Sequence, residues 1–171
     1  MNKARKTIIL TGASRGIGHA TVKRFSDEGW RVITCSRQAV PEKCPWDSSE
    51  DNHVEIDFTN TKQVEIGAQK LLDLLGDKPL NALVNNAGIS PKNKDGKRLD
   101  SLSTSSEVWK EVFEVNFFTP LLLAKKLKSA LQVGSGSIVN ITSIAGSRVH
   151  EFAGAAYATS KAALGALTRE M

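Results

Sequence analysis

Short continuous apolar runs alternate with amphipathic stretches along this chain. Thr7 to Leu10 is a β-rich run that meets Gly12, and Gly18 to Glu28 is helix-like and closed by Gly29. Arg31 to Cys35 predicts a second strand, His53 to Ile56 a third, Leu80 to Val84 a fourth and Ser137 to Ile141 a fifth. Between them, Thr61 to Leu75 predicts a helix stopped by Gly76, and a long helical pattern runs from about Ser105 to Leu131. Thr104-Ser105-Ser106-Glu107 fits a capping box at its start, and Pro120 predicts a kink inside it. Ala155 to Met171 predicts a last, alanine-rich helix.

Alternating strands and helices, with strands that are apolar throughout rather than at every second position, predict a parallel sheet covered on both faces. The expected fold class is a doubly wound α/β parallel sheet in three layers, α/β/α. Gln38 to Asn52 and Ile89 to Leu99 read as surface loops rather than domain boundaries, so one domain over residues 1–171 is expected.

Composition narrows the partners. The chain is 40% hydrophobic and 24% charged, ordinary for a globular protein, and its longest apolar runs are too short to cross a bilayer. A few basic residues lead directly into the first strand with no signal-like apolar segment, which makes a cytoplasmic location the expectation. The net charge is +5, but the 23 Lys and Arg are dispersed among acids, and only Lys92-Asn93-Lys94-Asp95-Gly96-Lys97-Arg98 is locally basic. No nucleic-acid partner is expected. Cys35 and Cys44 form neither a CxxC pair nor a disulfide framework and read as free thiols. His19, His53 and His150 are scattered without ligand spacing, so no metal is expected and they read as structural or surface residues, with His150 a candidate for the substrate mouth.

Thr11-Gly12-Ala13-Ser14-Arg15-Gly16-Ile17-Gly18 lies between the first strand and the first helix, where an open α/β sheet binds phosphates. Glycines there permit a tight turn and close backbone approach to a pyrophosphate. The spacing GxxxGxG departs from GxGxxG and fails the P-loop pattern, because Ile17-Gly18 stand where Gly-Lys would be needed. At the end of the second strand, Cys35-Ser36-Arg37 offers no carboxylate for an adenosine ribose 2′-hydroxyl. Arg37, with Arg15 and Ser36, suits a 2′-phosphate instead, so NADP(H) is expected over NAD(H).

With this glycine loop, Asn85-Asn86-Ala87-Gly88 after the fourth strand, Ser143 after the fifth and Tyr157-Ala158-Thr159-Ser160-Lys161 on the last helix, the chain resembles the short-chain dehydrogenase/reductase family over essentially its whole length. GxxxGxG with YxxxK is similar to its single-domain subfamily, and within it to 3-oxoacyl-[acyl-carrier-protein] reductases. The resemblance implies a Rossmann fold and a catalytic tetrad of Asn116, Ser143, Tyr157 and Lys161. For the cofactor it implies Gly12, Ser14, Arg15, Gly16, Ile17 and Gly18 in the loop, and Ser36 and Arg37 at the 2′-position. Asp57 and Phe58 match its adenine pocket, and Asn86, Ala87 and Gly88 the wall beside the riboses. Tyr157 and Lys161 face the nicotinamide side.

Residues four apart share a helix face, so Tyr157 and Lys161 project into one pocket. A free phenol ionises near pH 10, too high for efficient acid–base catalysis at neutral pH. An ammonium about 5 Å away, at an effective dielectric of about 20, favours a phenolate by roughly 3 kcal/mol. Tyr157 is then the proton donor to a substrate oxygen, Ser143 its hydrogen-bond donor and Lys161 the holder of the nicotinamide ribose, with Asn116 supporting a proton relay by resemblance.

Family members usually continue past the YxxxK helix with further strands and a mobile segment over the substrate. Here Ser137 to Ile141 is expected as an apolar sheet edge, and Ile138, Val139 and Ile141 look built for burial, so the sequence reads as the C-terminally incomplete part of a longer chain. Two readings follow: an NADP-dependent oxidoreductase acting on a small-molecule or acyl-carrier carbonyl, or a catalytically silent NADP-binding or assembly fragment. Association into dimers or tetramers is expected by resemblance, with Ala155, Ala156, Ala158, Ala162, Ala163 and Ala166 permitting close helix packing.

Overall fold

A computed structural model describes residues 5–38 and 52–171. Most of the loop expected over 38–52, with Cys44, lies outside the described residues. Five strands, β1 (Thr7–Thr11), β2 (Arg31–Ser36), β3 (His53–Glu55), β4 (Ala82–Asn85) and β5 (Ser137–Asn140), form one sheet in the order β3-β2-β1-β4-β5, and every neighbouring pair is parallel. The helices are α1 (Gly16–Asp27), α2 (Thr61–Leu75), α3 (Ser106–Phe113), α4 (Thr119–Lys126), α5 (Lys128–Val133) and α6 (Ala155–Glu170).

Alternation along β1 sends successive side chains to opposite faces. Ile9 pairs in register with Ile33 and Leu83, and these join Val64, Leu71 and Leu75 of α2 and Leu123 of α4 in one core. Ile8 and Leu10, with Val32 and Val84, pack on Val22 of α1 on the other face. Fully burying each such side chain contributes roughly 1.5–3 kcal/mol, so both faces are strongly held. This is the expected doubly wound sheet. Among the described residues, no helix is long and apolar enough to cross a membrane.

The long helix departs from expectation. It is divided into α3, a π turn over Glu114–Phe118, α4 and α5. The wide turn begins before Pro120, and the Thr119 N–H closes it on the Glu114 carbonyl. Pro120 has no N–H to return to the carbonyl of Asn116, so the helix loosens ahead of the proline. The N-cap is Ser105, whose hydroxyl accepts the Val108 N–H at 3.4 Å, one residue later than the Thr104 box predicts. Thr104 instead donates to the Asp100 carbonyl. At the sheet edge, Val139 of β5 is 44% exposed, and Ile138 and Ile141 beside it are half-buried.

Candidate functional site

The strand order reverses between β1 and β4, which splays their carboxyl ends and opens a cleft, the place where open α/β sheets take ligands. The cleft encloses about 870 Å³. Gly12, Ser14, Arg15, Gly16 and Ile17 line one side, Ser36, Arg37 and Phe58 another, and Asn86, Ala87 and Gly88 a third. Gly18 and Asp57 are not among its lining residues.

Backbone geometry explains the glycines. Gly12 has φ +71°, and a Cβ there would lie 2.9 Å from the Ala87 Cα. A Cβ on Gly18 would meet the Gly12 carbonyl oxygen at 2.1 Å, so no side chain fits where α1 crosses the loop. Gly16 has φ +57° and open space beside it. Arg15, the N-cap of α1, gives no side-chain cap, so the first-turn amides of the helix point at the cleft without a side-chain acceptor.

Asn86 ties the two sides together. Its Nδ2 donates to the Thr11 carbonyl at 3.0 Å and the Gly12 carbonyl at 2.8 Å. Thr11 Oγ1 in turn accepts the N–H groups of Asn86 and Ala87 at 3.1 and 3.0 Å. Thr11 is a positioning residue that sequence reading passed over, although it stands directly before Gly12. One oxygen of the Asp57 carboxylate is held locally: Oδ1 accepts the Thr59 N–H at 3.0 Å and the Thr59 hydroxyl at 2.8 Å. These bonds, and then Arg37, hold its pKa below the ordinary carboxylate value.

None of the four tetrad positions lines the cleft, but Asn116 and Lys161 meet at Gly88 of its wall and Tyr157 lies beside Lys161. Asn116, fully buried in the π turn, accepts the Ile89 N–H on Oδ1 at 2.9 Å and donates from Nδ2 to the Ile89 carbonyl and the Ser160 hydroxyl oxygen, both at 3.0 Å. Ser160 donates onward to the Tyr157 carbonyl at 2.8 Å. The π turn is therefore linked to α6 through a buried serine inside the YATSK stretch. Lys161 is buried, donates to the Ile141 carbonyl at 2.6 Å and has its Nζ 5.9 Å from the Tyr157 ring centre. A Cβ on Gly88 would lie 3.3 Å from Asn116 Oδ1 and 3.4 Å from Lys161 Nζ, so both atoms border the cleft wall at that glycine.

Burial lowers the Lys161 pKa from 10.5 to about 8. The fixed cation that the YxxxK spacing suggests is thus a group that titrates just above neutrality. Ser143 is half-buried at the start of a 3₁₀ turn (Ile144–Gly146), and its Oγ accepts the Ala145 N–H at 3.2 Å. The hydroxyl hydrogen of Ser143 remains available to donate. Two loops flank this end: Lys92 bonds the Phe152 carbonyl, Arg98 the His150 carbonyl at 3.3 Å, and the Ala155 N–H the Leu99 carbonyl at 2.9 Å. His150 lies in the second of these loops, with Nδ1 accepting the Phe152 N–H at 3.3 Å. The cleft also uses Gln38, Thr59, Ile89 and Val115, whose only sequence signal is adjacency to motif residues.

A family model described as short chain dehydrogenase matches residues 6–171. Protein FixR of Bradyrhizobium diazoefficiens is 54% identical over 167 residues, which cover 97% of this chain and 60% of FixR. A crystal structure of an oxidoreductase of the short chain dehydrogenase/reductase family from Brucella ovis, in complex with a partially ordered NAD, is 57% identical with a TM-score of 0.94, over 98% of this chain and 76% of that one. The 3-oxoacyl-[acyl-carrier-protein] reductase FabG of Vibrio cholerae is 30% identical, over 100% of this chain and 68% of FabG. The chain thus spans 60–68% of the length of these two curated relatives.

Proposed function

The chain belongs to the short-chain dehydrogenase/reductase family, and on that premise we propose that it interconverts a carbonyl and an alcohol with a nicotinamide dinucleotide, NADP(H) in preference to NAD(H). The observation that carries this reading is the junction at Gly88, where the glycine cleft meets Asn116 and Lys161, with Tyr157 one helical turn away. The residues present suit the cofactor: Gly12 and Gly18 let the loop, α1 and the Ala87 strand end pack closely around the cleft, uncapped amides at α1 suit a pyrophosphate, and Arg15 and Arg37 suit an added phosphate. When bound, the nicotinamide supplies or removes a hydride at the substrate carbon.

The chain's own residues do the rest. Tyr157 gives its phenolic proton to the substrate oxygen in reduction and takes it back in oxidation. Ser143, its acceptor side already used by Ala145, donates to the same oxygen as negative charge develops there. Lys161 spends one of three donors on Ile141 and keeps two for ribose hydroxyls and the proton path. Asn116 acts by position, holding Ile89 against α6 through Ser160.

The Brucella ovis relative holds NAD, so the NADP preference rests on this chain's own Arg37 and on the missing carboxylate at the end of β2. Arg37→Ala is expected to weaken NADPH about 10- to 100-fold, the loss of hydrogen bonds to a charged group, and NADH far less. Equal losses in a binding titration would remove the 2′-phosphate role. An acyl-carrier substrate is supported by the likeness to FabG alone, so the substrate is proposed only as a carbonyl compound. We also propose a homo-oligomer, supported by the small residues Ala158, Ala162 and Ala166 on α6 and by the half-exposed aromatic run Trp109, Phe113, Phe117 and Phe118. Sedimentation showing only monomer would contradict it.

A further inference from the structure

Where the described chain leaves β2, one carbonyl oxygen receives two hydrogen bonds. Gln38 O accepts from the Ser36 hydroxyl at 2.8 Å and from His53 Nε2 at 3.0 Å. A carbonyl only accepts, so Nε2 carries the hydrogen. His53 opens β3 opposite Thr34 of β2, and the Thr34 hydroxyl lies 2.7 Å from Nδ1. In the neutral ring that nitrogen accepts, and the buried Thr34 hydroxyl braces it, Nδ1 at 2.7 Å being the nearer of its two acceptors and the Asn52 carbonyl at 3.3 Å the other. The imidazole therefore spans from the buried interior of the sheet to the Gln38 backbone at the cleft.

Ser36 and Gln38 flank Arg37, and all three line the cleft. We propose that His53 is a positioning residue for cofactor choice: braced on Thr34, it fixes the Ser36–Arg37–Gln38 turn so that Arg37 is presented to a 2′-phosphate. The inference rests on the NADP reading above and adds to it a residue outside the cleft lining. A long exposed guanidinium loses much freedom on binding, and a turn already clamped from both sides loses less, so the clamp acts by preorganisation. Burial lowers the His53 pKa from 6.5, against the Gln38 carbonyl and the Glu55 carboxylate, which raise it. At pH 7 the ring is neutral and keeps the tautomer the clamp needs.

The test is to titrate NADPH and NADH separately into the full protein, as wild type, His53→Phe and His53→Gln. Phenylalanine keeps the ring shape and removes both ring nitrogens, and is expected to raise the NADPH Kd about 5- to 10-fold, the effect of one net hydrogen bond, while moving NADH less than about twofold. Glutamine, with an amide N–H able to reach the Gln38 carbonyl, is expected to restore most of the NADPH affinity. A proportional loss for both nucleotides would mark a merely structural role and overturn the inference, as would unchanged binding in His53→Phe or no rescue by His53→Gln. If His53→Phe does not fold, His53→Leu takes its place with the same reading: a loss of NADPH affinity larger than about fivefold with NADH moved less than about twofold supports the clamp, and unchanged or proportional binding overturns it. Wild type binding NADH more tightly than NADPH would overturn this inference together with the reading it rests on, whereas a wild-type preference for NADPH left intact in His53→Phe would overturn this inference alone.

Discussion

Tyr157→Phe is expected to lower turnover about 10²- to 10⁴-fold, the range for removal of a positioned general acid–base, while leaving nucleotide affinity and fold stability close to wild type. The bond that ties this residue to its neighbour runs from the Ser160 hydroxyl to the Tyr157 backbone carbonyl, which phenylalanine keeps. The ring itself is half-buried and retains its packing. Steady-state turnover with NADPH, set beside a thermal melt and a nucleotide titration, separates the two effects. A variant that melts normally, binds nucleotide and turns over at the wild-type rate would remove Tyr157 from the chemistry.

Lys161→Met is expected to abolish most turnover and at the same time to stabilise the fold at neutral pH. The ordinary lysine pKa of 10.5 falls to about 8 in the fold because burial opposes the charge. Below pH 8 both folded and unfolded chains carry the proton, and folding bears the full cost of burying it, about 3 kcal/mol for that interval. Between pH 8 and 10.5 the folded chain has released the proton while the unfolded chain keeps it, so wild-type stability rises with pH and the cost disappears. Methionine has similar length and no charge, but it leaves the Ile141 carbonyl without its donor, a loss of about 1 kcal/mol. The net gain at pH 7 is therefore about 2 kcal/mol, and it shrinks and reverses towards pH 10.5. Denaturant unfolding across this range checks the sign: a variant less stable than wild type at pH 7 would contradict a buried, depressed lysine. A stability gain in Lys161→Met supports the proposal that this lysine serves function rather than the fold.

What could be read from the sequence followed what is local. The strands were legible because Ile8, Ile9 and Leu10, and Val32 and Ile33, form continuous apolar runs that only a doubly covered sheet accommodates, and the expected bounds agree with the structure to within about two residues. The cleft was legible because its glycines stand between an apolar run and a helical pattern, and Gly18 is demanded by the nearby Gly12 carbonyl, whereas the close approach that demands Gly12 comes from Ala87 on a distant strand end. What escaped was set by distant partners. The break in the long helix was legible from Pro120, and only its form as a π turn was not. Ser160 lies inside the YATSK stretch, yet its role appears only when Asn116 arrives from 44 residues away. His53 read as a scattered histidine because Thr34 and Gln38, its two partners, are brought to it by strand pairing.

Proton and hydride delivery at the Gly88 junction is the step on which the proposed function turns. The direct measurement offers a panel of carbonyl compounds to the full protein with NADPH deuterated on the nicotinamide, and follows deuterium into the alcohol carbon by mass spectrometry, for wild type beside Tyr157→Phe. Label appearing on the carbinol carbon with wild type, and falling at least about 10²-fold in the variant, is the predicted result. Nucleotide that binds in the cleft while no carbonyl acquires label, or label transfer that is indifferent to Tyr157, would contradict it.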